Sequence, residues 1–174
     1  MTTRTNRAED TIHASCVAID GAGILIRGAS GAGKSTLALL LLDRAALLGL
    51  PAGLVGDDAI RLACEAGEVV ARPHPALGAR IEVRGLGILP VAAALPSAPL
   101  RLVVDLVDGL PRLPEAAMPA VTLLGLPLPG LLLDRALLHA GLGPRLALDA
   151  LSACPGVARG THRPVLTLPP GPGP

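Results

Sequence analysis

Apolar residues in the first fifty positions recur with two different spacings. Residues 12–19 alternate imperfectly between apolar and polar positions but are compatible with a strand, and residues 24–26 are a short apolar run. The sequence Asp-Gly-Ala-Gly between these two segments is typical of a turn. From Lys34 onward, leucines recur three and four residues apart without proline or glycine until Gly49. That spacing is the periodicity of an α-helix. The pattern therefore predicts a β-hairpin, a loop and then a helix.

Shorter apolar segments follow this helix. They predict strands at residues 53–55, 60–64, 68–71, 80–84 and 100–107. Residues 134–152 have a helical pattern that is interrupted by Gly141, Gly143 and Pro144. We expect a mobile polar leader at residues 1–10, a folded domain at residues 11–154 and a flexible proline- and glycine-rich tail at residues 155–174.

Composition limits the classes of function that this chain can have. Its 174 residues suit one domain, and 51% hydrophobic with 17% charged residues excludes a disordered chain. The net charge is only +1 and there are no aromatic residues. A basic field and aromatic stacking platforms are what nucleic-acid binding usually requires. We therefore expect a Leu, Val, Ile and Ala core and no nucleic-acid partner.

Nothing in the sequence predicts a membrane or disulfide-bonded protein. The uncharged residues 116–133 are broken too often by proline and glycine for a membrane-spanning helix, and the N-terminus has no apolar signal-peptide core. Cys16, Cys64 and Cys154 form no metal-binding pair. The expected location is therefore the cytoplasm, with three idle thiols.

A complete phosphate-binding motif, G-x-x-x-x-G-K-S, lies between the second predicted strand and the helix. Backbone N–H groups of such a loop surround phosphate oxygens, the lysine neutralises the β- and γ-phosphates, and the serine binds Mg²⁺. The predicted nucleotide-binding residues are Gly28, Ala29, Ser30, Gly31, Ala32, Gly33, Lys34, Ser35 and Thr36. The sequence predicts an α/β P-loop nucleotide-binding domain: a central β-sheet with β-hairpin additions and flanking helices. No guanine-reading N-K-x-D motif is present, so ATP is the expected nucleotide and Mg²⁺ its metal.

Two adjacent carboxylates, Asp57 and Asp58, follow the predicted strand at residues 53–55. We expect that strand to lie parallel to and beside the strand before the loop, so that its carboxyl end points both carboxylates at the γ-phosphate. One would hold the metal through water and the other would accept a proton. The alternative is that both aspartates cap the following turn.

Two further signals are weaker when taken alone. Glu82 and Arg84 lie two residues apart in a predicted strand, and therefore on one face, before a Gly-x-Gly bend. A surface ion pair would explain them equally well. His13 stands near the start of the first strand, where a structural role is the alternative to a catalytic one.

Four segments in order resemble the HPr kinase/phosphorylase family of bacterial enzymes. They are HASCVAIDGAGILIRG from His13, the loop GASGAGKS, LVGDD and IEVRGLGI. The last of these segments resembles the family signature. The resemblance extends from about residue 13 to residue 107. It implies phosphorylation of a serine in the phosphocarrier protein HPr, with a possible reverse reaction, in the regulation of a bacterial phosphotransferase system.

The resemblance also implies a role for individual residues. Lys34 and His13 would be catalytic groups near the phosphates, and Ser35 and Glu82 would be Mg²⁺ ligands. Asp58 would accept the serine proton, with Asp57 beside it. In addition, Arg112 stands where the family has a catalytic arginine on a mobile loop.

The chain also departs from the family pattern. It looks like a short form without the family's additional N-terminal domain, and Thr36 and Gly56 replace the usual Glu and Ala. The resemblance implies a homo-oligomer, a hexamer, with HPr as partner. A small-molecule P-loop kinase and a non-catalytic ATP-binding switch remain the alternatives.

Overall fold

The computed structural model describes residues 9–113, 118–157 and 163–169. Its strands are β1 Glu9–Ile12, β2 Ser15–Ile19, β3 Ala22–Gly28, β4 Ala52–Gly56, β5 Ile60–Glu65, β6 Glu68–Pro73, β7 Arg80–Val83, β8 Gly87–Pro90, β9 Ala98–Val107, β10 Ala120–Leu123 and β11 Leu126–Asp134. Its helices are α1 Lys34–Leu47, α2 Arg135–His139 and α3 Gly143–Ala153. The predicted α/β class, with a central sheet and flanking helices, is confirmed.

The described strands form a nine-stranded mixed sheet and a separate two-stranded ribbon. The main path of the sheet is β1-β5-β6-β9-β3-β2-β4, and β11 adds to β9 and carries β10. Strand β9 pairs with β6 near its start and runs parallel to both β3 and β11 further along. The ribbon consists of β7 and β8. This topology gathers the carboxyl ends of several strands at one edge of the sheet.

The neighbours of β3 differ from the prediction in one respect. The predicted hairpin of β2 and β3 is present, with left-handed residues Asp20 and Gly21 in its turn. Strand β2 folds back on β3 and pairs with the side of β3 where β4 was expected. Strand β4 pairs instead with the other side of β2. The prediction that β4 lies beside β3 was wrong. Because β2 is antiparallel to both strands, β3 and β4 run in the same direction. Their carboxyl ends therefore still lie at the same end of the sheet.

The second half of the chain contains a hairpin that the apolar pattern did not predict. Within residues 116–133, β10 and β11 pair around a turn at Leu124 and Gly125, both with positive φ. Prolines and glycines exclude a membrane helix here but are tolerated in a short hairpin of this kind. No helix among the described residues is long and apolar enough to span a membrane.

Two helices replace the interrupted helical segment predicted at residues 134–152. The carboxylate of Asp134 accepts a hydrogen bond of 2.8 Å from the Leu137 amide and so caps α2. Gly143 and Pro144 begin α3 instead of interrupting it, because proline is well suited to the first turn of a helix. The break between the helices is therefore confined to residues 140–142.

The core is aliphatic on both faces of the sheet, as the composition predicts. On one face, α1 and α3 cover residues such as Ile24, Ile26 and Leu102. On the other face, Leu25, Val103 and Leu62 pack with partly buried side chains of the β10–β11 hairpin. Helix α1, which follows the phosphate loop, therefore packs on one face of the sheet. Strand β3, which precedes the loop, is buried on both faces.

The structure describes parts of both predicted terminal segments. Strand β1 begins at Glu9 and pairs with β5, so it extends into the predicted leader. Asp149 on α3 is only 1% exposed, and its carboxylate accepts hydrogen bonds from the Val165 and Leu166 amides at 3.2 and 3.0 Å. A buried carboxylate requires such donors, which attaches this part of the predicted tail to α3. Residues 1–8, 158–162 and 170–174 lie outside the described chain.

The three cysteines are free, and they differ in burial. Burial raises the pKa of the Cys154 thiol to about 12 and that of Cys16 still further. Both thiols are therefore neutral at pH 8 in the folded protein, and neutral thiols react slowly with electrophiles. We expect iodoacetamide to modify Cys64 first in the native protein and all three residues in denaturant, as checked by mass spectrometry. Rapid native labelling of Cys16 would contradict this expectation.

Candidate active site

A pocket of about 570 Å³ lies at the edge where β3 and β4 end and β2 begins. Its walls come from the phosphate loop, from the segments after β1 and β4, from the β7–β8 ribbon and from α2. The lining residues are His13, Ser30, Gly31, Ala32, Gly33, Lys34, Ser35, Thr36, Asp57, Asp58, Glu82, Arg84, Arg135, Leu138 and His139. Most of the side chains predicted from sequence are therefore brought together.

The loop owes its shape to glycines that no other residue could replace easily. Gly33 has φ 104° and precedes the first turn of α1, and a Cβ atom there would meet Leu138 Cδ2 at 2.5 Å. Gly28 has φ 150°, and its Cβ would meet the Leu106 carbonyl oxygen at 2.9 Å. Such a loop, followed directly by a helix N-terminus, presents backbone N–H groups to an anion.

Lys34 is the only lysine in the sequence, and it lies inside this pocket with 7% of its surface exposed. Its ammonium donates to the Gly28 and Ala29 carbonyl oxygens at 3.0 and 3.1 Å. A third contact, at 2.9 Å, reaches Nε2 of His13. The ammonium is therefore held over the loop, where the phosphates of a nucleotide would be bound.

His13 links Lys34 to Asp58. Because an ammonium group can only donate, Nε2 of His13 accepts, and the ring proton belongs on Nδ1. Nδ1 lies 2.9 Å from the Asp58 carbonyl oxygen and 3.0 Å from Asp58 Oδ1. The chain of contacts runs from Lys34 through His13 to Asp58. These contacts place His13 at the site and disfavour a purely structural role in a strand.

The two adjacent aspartates have different surroundings. Asp58 has φ 71°, a left-handed conformation that aspartate tolerates better than most residues, and its side chain is 72% exposed. Asp57 is buried. Its carboxylate accepts hydrogen bonds from Ser15 and Ser35, with Ser35 Oγ at 3.1 and 2.9 Å from its two oxygens. Among the described hydrogen bonds, neither carboxylate accepts one from an amide of the turn that follows.

The β7–β8 ribbon brings Glu82 to the pocket. Ile81 is buried in the core, and because side chains alternate along a strand, Glu82 faces the opposite way and is exposed. The Glu82 amide also lies 3.4 Å from Asp57 Oδ2. Glu82 and Arg84 both line the pocket, and among the described contacts no ion pair joins them. The surface ion-pair interpretation is therefore not supported.

The structure also shows site residues that the sequence analysis missed. Arg135, the first residue of α2, lines the pocket and donates to the Gly31 carbonyl oxygen at 3.4 Å. Leu138 of the same helix also lines the pocket and occupies the space that a Cβ atom on Gly33 would need. The available signal was a charged Asp134–Arg135 pair directly after an apolar run. It was missed because that run was not interpreted as a strand.

Arg112 is not among the residues that line the pocket. It is exposed next to residues 114–117, which lie outside the described chain, so its catalytic role stays a prediction. Of the two departures from the family pattern, Thr36 lines the pocket. At Gly56, a Cβ atom would approach Ile60 Cδ1 to 2.9 Å, so Ile60 fills the space that an alanine side chain would need.

The donor set suits Mg²⁺. Ser35, Asp57 and Glu82 all line the pocket and offer it hydroxyl and carboxylate oxygens, which are the ligands that hard cations prefer. Within the described residues, no group of three or more His, Cys, Asp or Glu side chains forms a ready metal site. Mg²⁺ is usually held by one or two protein groups together with phosphate oxygens and water. The side chains present therefore fit Mg²⁺ bound together with a nucleotide.

Comparison with curated proteins finds similar HPr kinase/phosphorylases in several bacteria. The protein from Mycoplasma mycoides subsp. mycoides SC is 37% identical over 102 residues, which is 55% of this chain and 31% of that protein. The protein from Burkholderia lata is 38% identical over 129 residues, 68% of this chain and 38% of that protein. The chain thus spans about a third of the length of these relatives.

A solved structure and a family model agree with these relatives. The Hpr(Ser) kinase/phosphatase from Coxiella burnetii superimposes with a TM-score of 0.67 at 29% identity, covering 80% of this chain and 95% of that one. The family model described as the HPr Serine kinase C-terminal domain matches residues 5–107. That range contains the phosphate loop, both aspartates and Glu82. The chain therefore belongs to the HPr serine kinase C-terminal domain family.

Proposed function

We propose that this chain is an ATP-dependent protein kinase that phosphorylates a serine of HPr, with the reverse phosphorylase reaction on the same site. The observation that carries the proposal is the convergence of Lys34, Ser35, Asp57, Asp58 and Glu82 on one pocket. Membership of the family supports HPr as the acceptor. The proposed setting is the regulation of a bacterial phosphotransferase system in the cytoplasm.

The phosphate loop and Lys34 supply the nucleotide end of the site. Backbone amides of residues 28–35 and the N-terminus of α1 bind the phosphate oxygens. The Lys34 ammonium exchanges its loop carbonyl partners for phosphate oxygens and neutralises charge on the transferred group. Mg²⁺, held by Ser35 and Glu82, would add positive charge at the same oxygens. Arg135 provides a further cation on the side of α2.

Asp58 supplies the acceptor end of the site. Its exposed carboxylate accepts the proton from the serine hydroxyl, so that the serine oxygen forms a bond to phosphorus as ADP leaves. In the reverse direction an oxygen of inorganic phosphate forms the bond to phosphorus, the serine oxygen leaves and takes a proton from Asp58, and pyrophosphate is released. His13 donates through Nδ1 to Asp58 and accepts from Lys34, which ties the base to the phosphate-binding group. Asp57 is buried against two hydroxyls and is the less accessible base.

Transfer of ³²P from γ-labelled ATP to purified HPr tests this function. We expect label on wild-type HPr and none on HPr whose acceptor serine is replaced by alanine. ATP bound without transfer to HPr or to any small molecule would indicate a binding switch. Label on a small molecule instead of HPr would indicate the other alternative. Loss of label from phosphorylated HPr on addition of inorganic phosphate tests the reverse reaction.

The Ser35→Ala variant tests the proposed metal ligand. Because only the Mg²⁺-bound nucleotide uses the hydroxyl, we expect its affinity to fall about tenfold while the affinity for metal-free nucleotide stays within about twofold. Calorimetric titrations in Mg²⁺ and in EDTA measure both. The Ser152→Ala variant is the control, since its hydroxyl donates to Leu148 within α3. Equal losses in both titrations would contradict the metal-ligand role.

The proposed assembly is a homo-hexamer. Leu86 and Ile88 on the β7–β8 ribbon are 71% and 68% exposed, and apolar side chains this exposed are typical of surfaces that another protein covers. They support an association of chains without specifying its number. Sedimentation equilibrium of the purified protein measures the number directly.

A further inference from the structure

Ser15 is a buried polar residue that no sequence signal pointed to. It is 0% exposed, begins β2, and donates its hydroxyl to Oδ1 of Asp57. The other residues of β2 are all apolar and buried. The Ser15 hydroxyl is therefore not directed at solvent, and its specific partner is the Asp57 carboxylate.

The topology explains how Ser15 reaches the site. Strand β2 is antiparallel to β3 and β4, so it begins at the edge where they end. The segment that enters β2 therefore contributes two side chains to that edge. His13 contacts Lys34 and Asp58, and two residues later Ser15 contacts Asp57. One short segment thus holds both aspartates, each through a different side chain.

The contacts of Asp57 differ between its two oxygens. Oδ1 accepts from Ser15 and also has Ser35 Oγ at 3.1 Å, while Oδ2 has Ser35 Oγ at 2.9 Å and the Glu82 amide at 3.4 Å. The Ser35 hydroxyl has one proton, and while it donates this proton to Asp57 its oxygen lone pairs stay free to bind a metal. The orientation of Asp57 therefore decides the orientation of Ser35.

We infer that Ser15 is a positioning residue for Mg²⁺-nucleotide binding: its hydroxyl fixes the Asp57 carboxylate, which in turn holds Ser35 as a metal ligand. This inference rests on the proposed function only in its requirement for Mg²⁺ and nucleotide. Hydrogen bonds from hydroxyls to a buried carboxylate are among the stronger ones. Loss of Ser15 leaves the Asp57 carboxylate with Ser35 and the long Glu82 contact, so one of the hydrogen bonds that fix its orientation is removed.

The test compares three variants in calorimetric titrations with ATP. Ser15→Ala removes the hydroxyl, Ser15→Thr retains it, and Ser152→Ala removes a hydroxyl far from the pocket. For Ser15→Ala we expect about a tenfold weaker affinity in Mg²⁺ and a change within about twofold in EDTA. Ser15→Thr should bind Mg²⁺-ATP more tightly than Ser15→Ala, and Ser152→Ala should match the wild type in both titrations.

Several results would overturn the inference. They are an equal loss with and without Mg²⁺, no loss at all, or a Ser15→Thr variant as weak as Ser15→Ala. Far-UV circular dichroism in EDTA adds a readout that needs neither metal nor nucleotide. A Ser15→Ala protein that is unfolded there would assign the hydroxyl to stability instead. These titrations contain no HPr. Failure of the wild type to transfer label to HPr would therefore contradict the proposed function without contradicting this inference.

Discussion

Replacement of Lys34 by alanine is expected to reduce phosphoryl transfer to HPr to background, a loss on the order of 10³-fold. The variant lacks the only lysine in the chain and with it the charge that neutralises the phosphates. The fold should persist, because the hydrogen bonds of the ammonium to described residues go to the loop carbonyls and His13. Initial rates with γ-³²P-ATP and melting temperatures by circular dichroism measure the two effects separately.

Two comparison variants sharpen this test. Lys34→Arg keeps the charge, but a planar guanidinium cannot reproduce the compact contacts of an ammonium, so most of the activity should still be lost. Arg44→Ala removes a positive charge from the last turn of the same helix, outside the pocket, and should retain normal rates. Near-native turnover in Lys34→Ala would exclude Lys34 from the mechanism.

The second large effect is expected from Asp58→Asn. An amide cannot accept the serine proton, so the transfer rate should fall on the order of 10² to 10⁴-fold, the usual contribution of a positioned base. Nucleotide affinity should change little, since the contacts of Asp58 with described residues are made to His13. Initial rates at saturating ATP and calorimetric affinities separate the two quantities. Asp43→Asn, an exposed carboxylate on α1, is the matched control.

Glu82→Gln should behave differently because its proposed role is to bind the metal. An amide oxygen is a weaker Mg²⁺ ligand than a carboxylate, and excess metal compensates for the loss by mass action. We expect a raised Mg²⁺ requirement with partial recovery of the rate at high Mg²⁺.

A magnesium titration of both variants decides between the two roles. Recovery of Asp58→Asn at high Mg²⁺ would transfer the metal role to Asp58. A normal rate in that variant at all Mg²⁺ concentrations would remove Asp58 from the mechanism.

Local sequence determined what could be predicted of this fold. The phosphate loop and α1 depend on glycines at fixed positions and on a helical repeat within one continuous segment, and both were identified. Strand order depends on contacts between distant segments. Nothing in residues 53–55 shows that β2 already occupies the edge of β3, so the insertion of β2 became visible only in the folded chain.

The candidate site shows the same division. Lys34, Ser35 and the aspartates belong to motifs with a recognisable spacing, and the structure brings them together. Ser15 and Arg135 carry no motif, and their roles arise from topology. Arg135 lies 104 residues after Gly31 of the loop. The β-hairpin before it was not predicted because its segment is rich in proline. Its position over Gly31 follows from the parallel pairing of β11 with β9.

Because Lys34 is the only lysine in the sequence, covalent modification of lysine has a particular consequence for this chain. Acylation of a lysine removes its charge and its ability to act as a threefold donor. In most enzymes such modification is spread over many surface lysines, and only a few events affect catalysis. Within these 174 residues there is one side-chain amine, and it is held by the phosphate loop. Here, acylation of a side-chain amine and loss of the phosphate-binding charge are the same event.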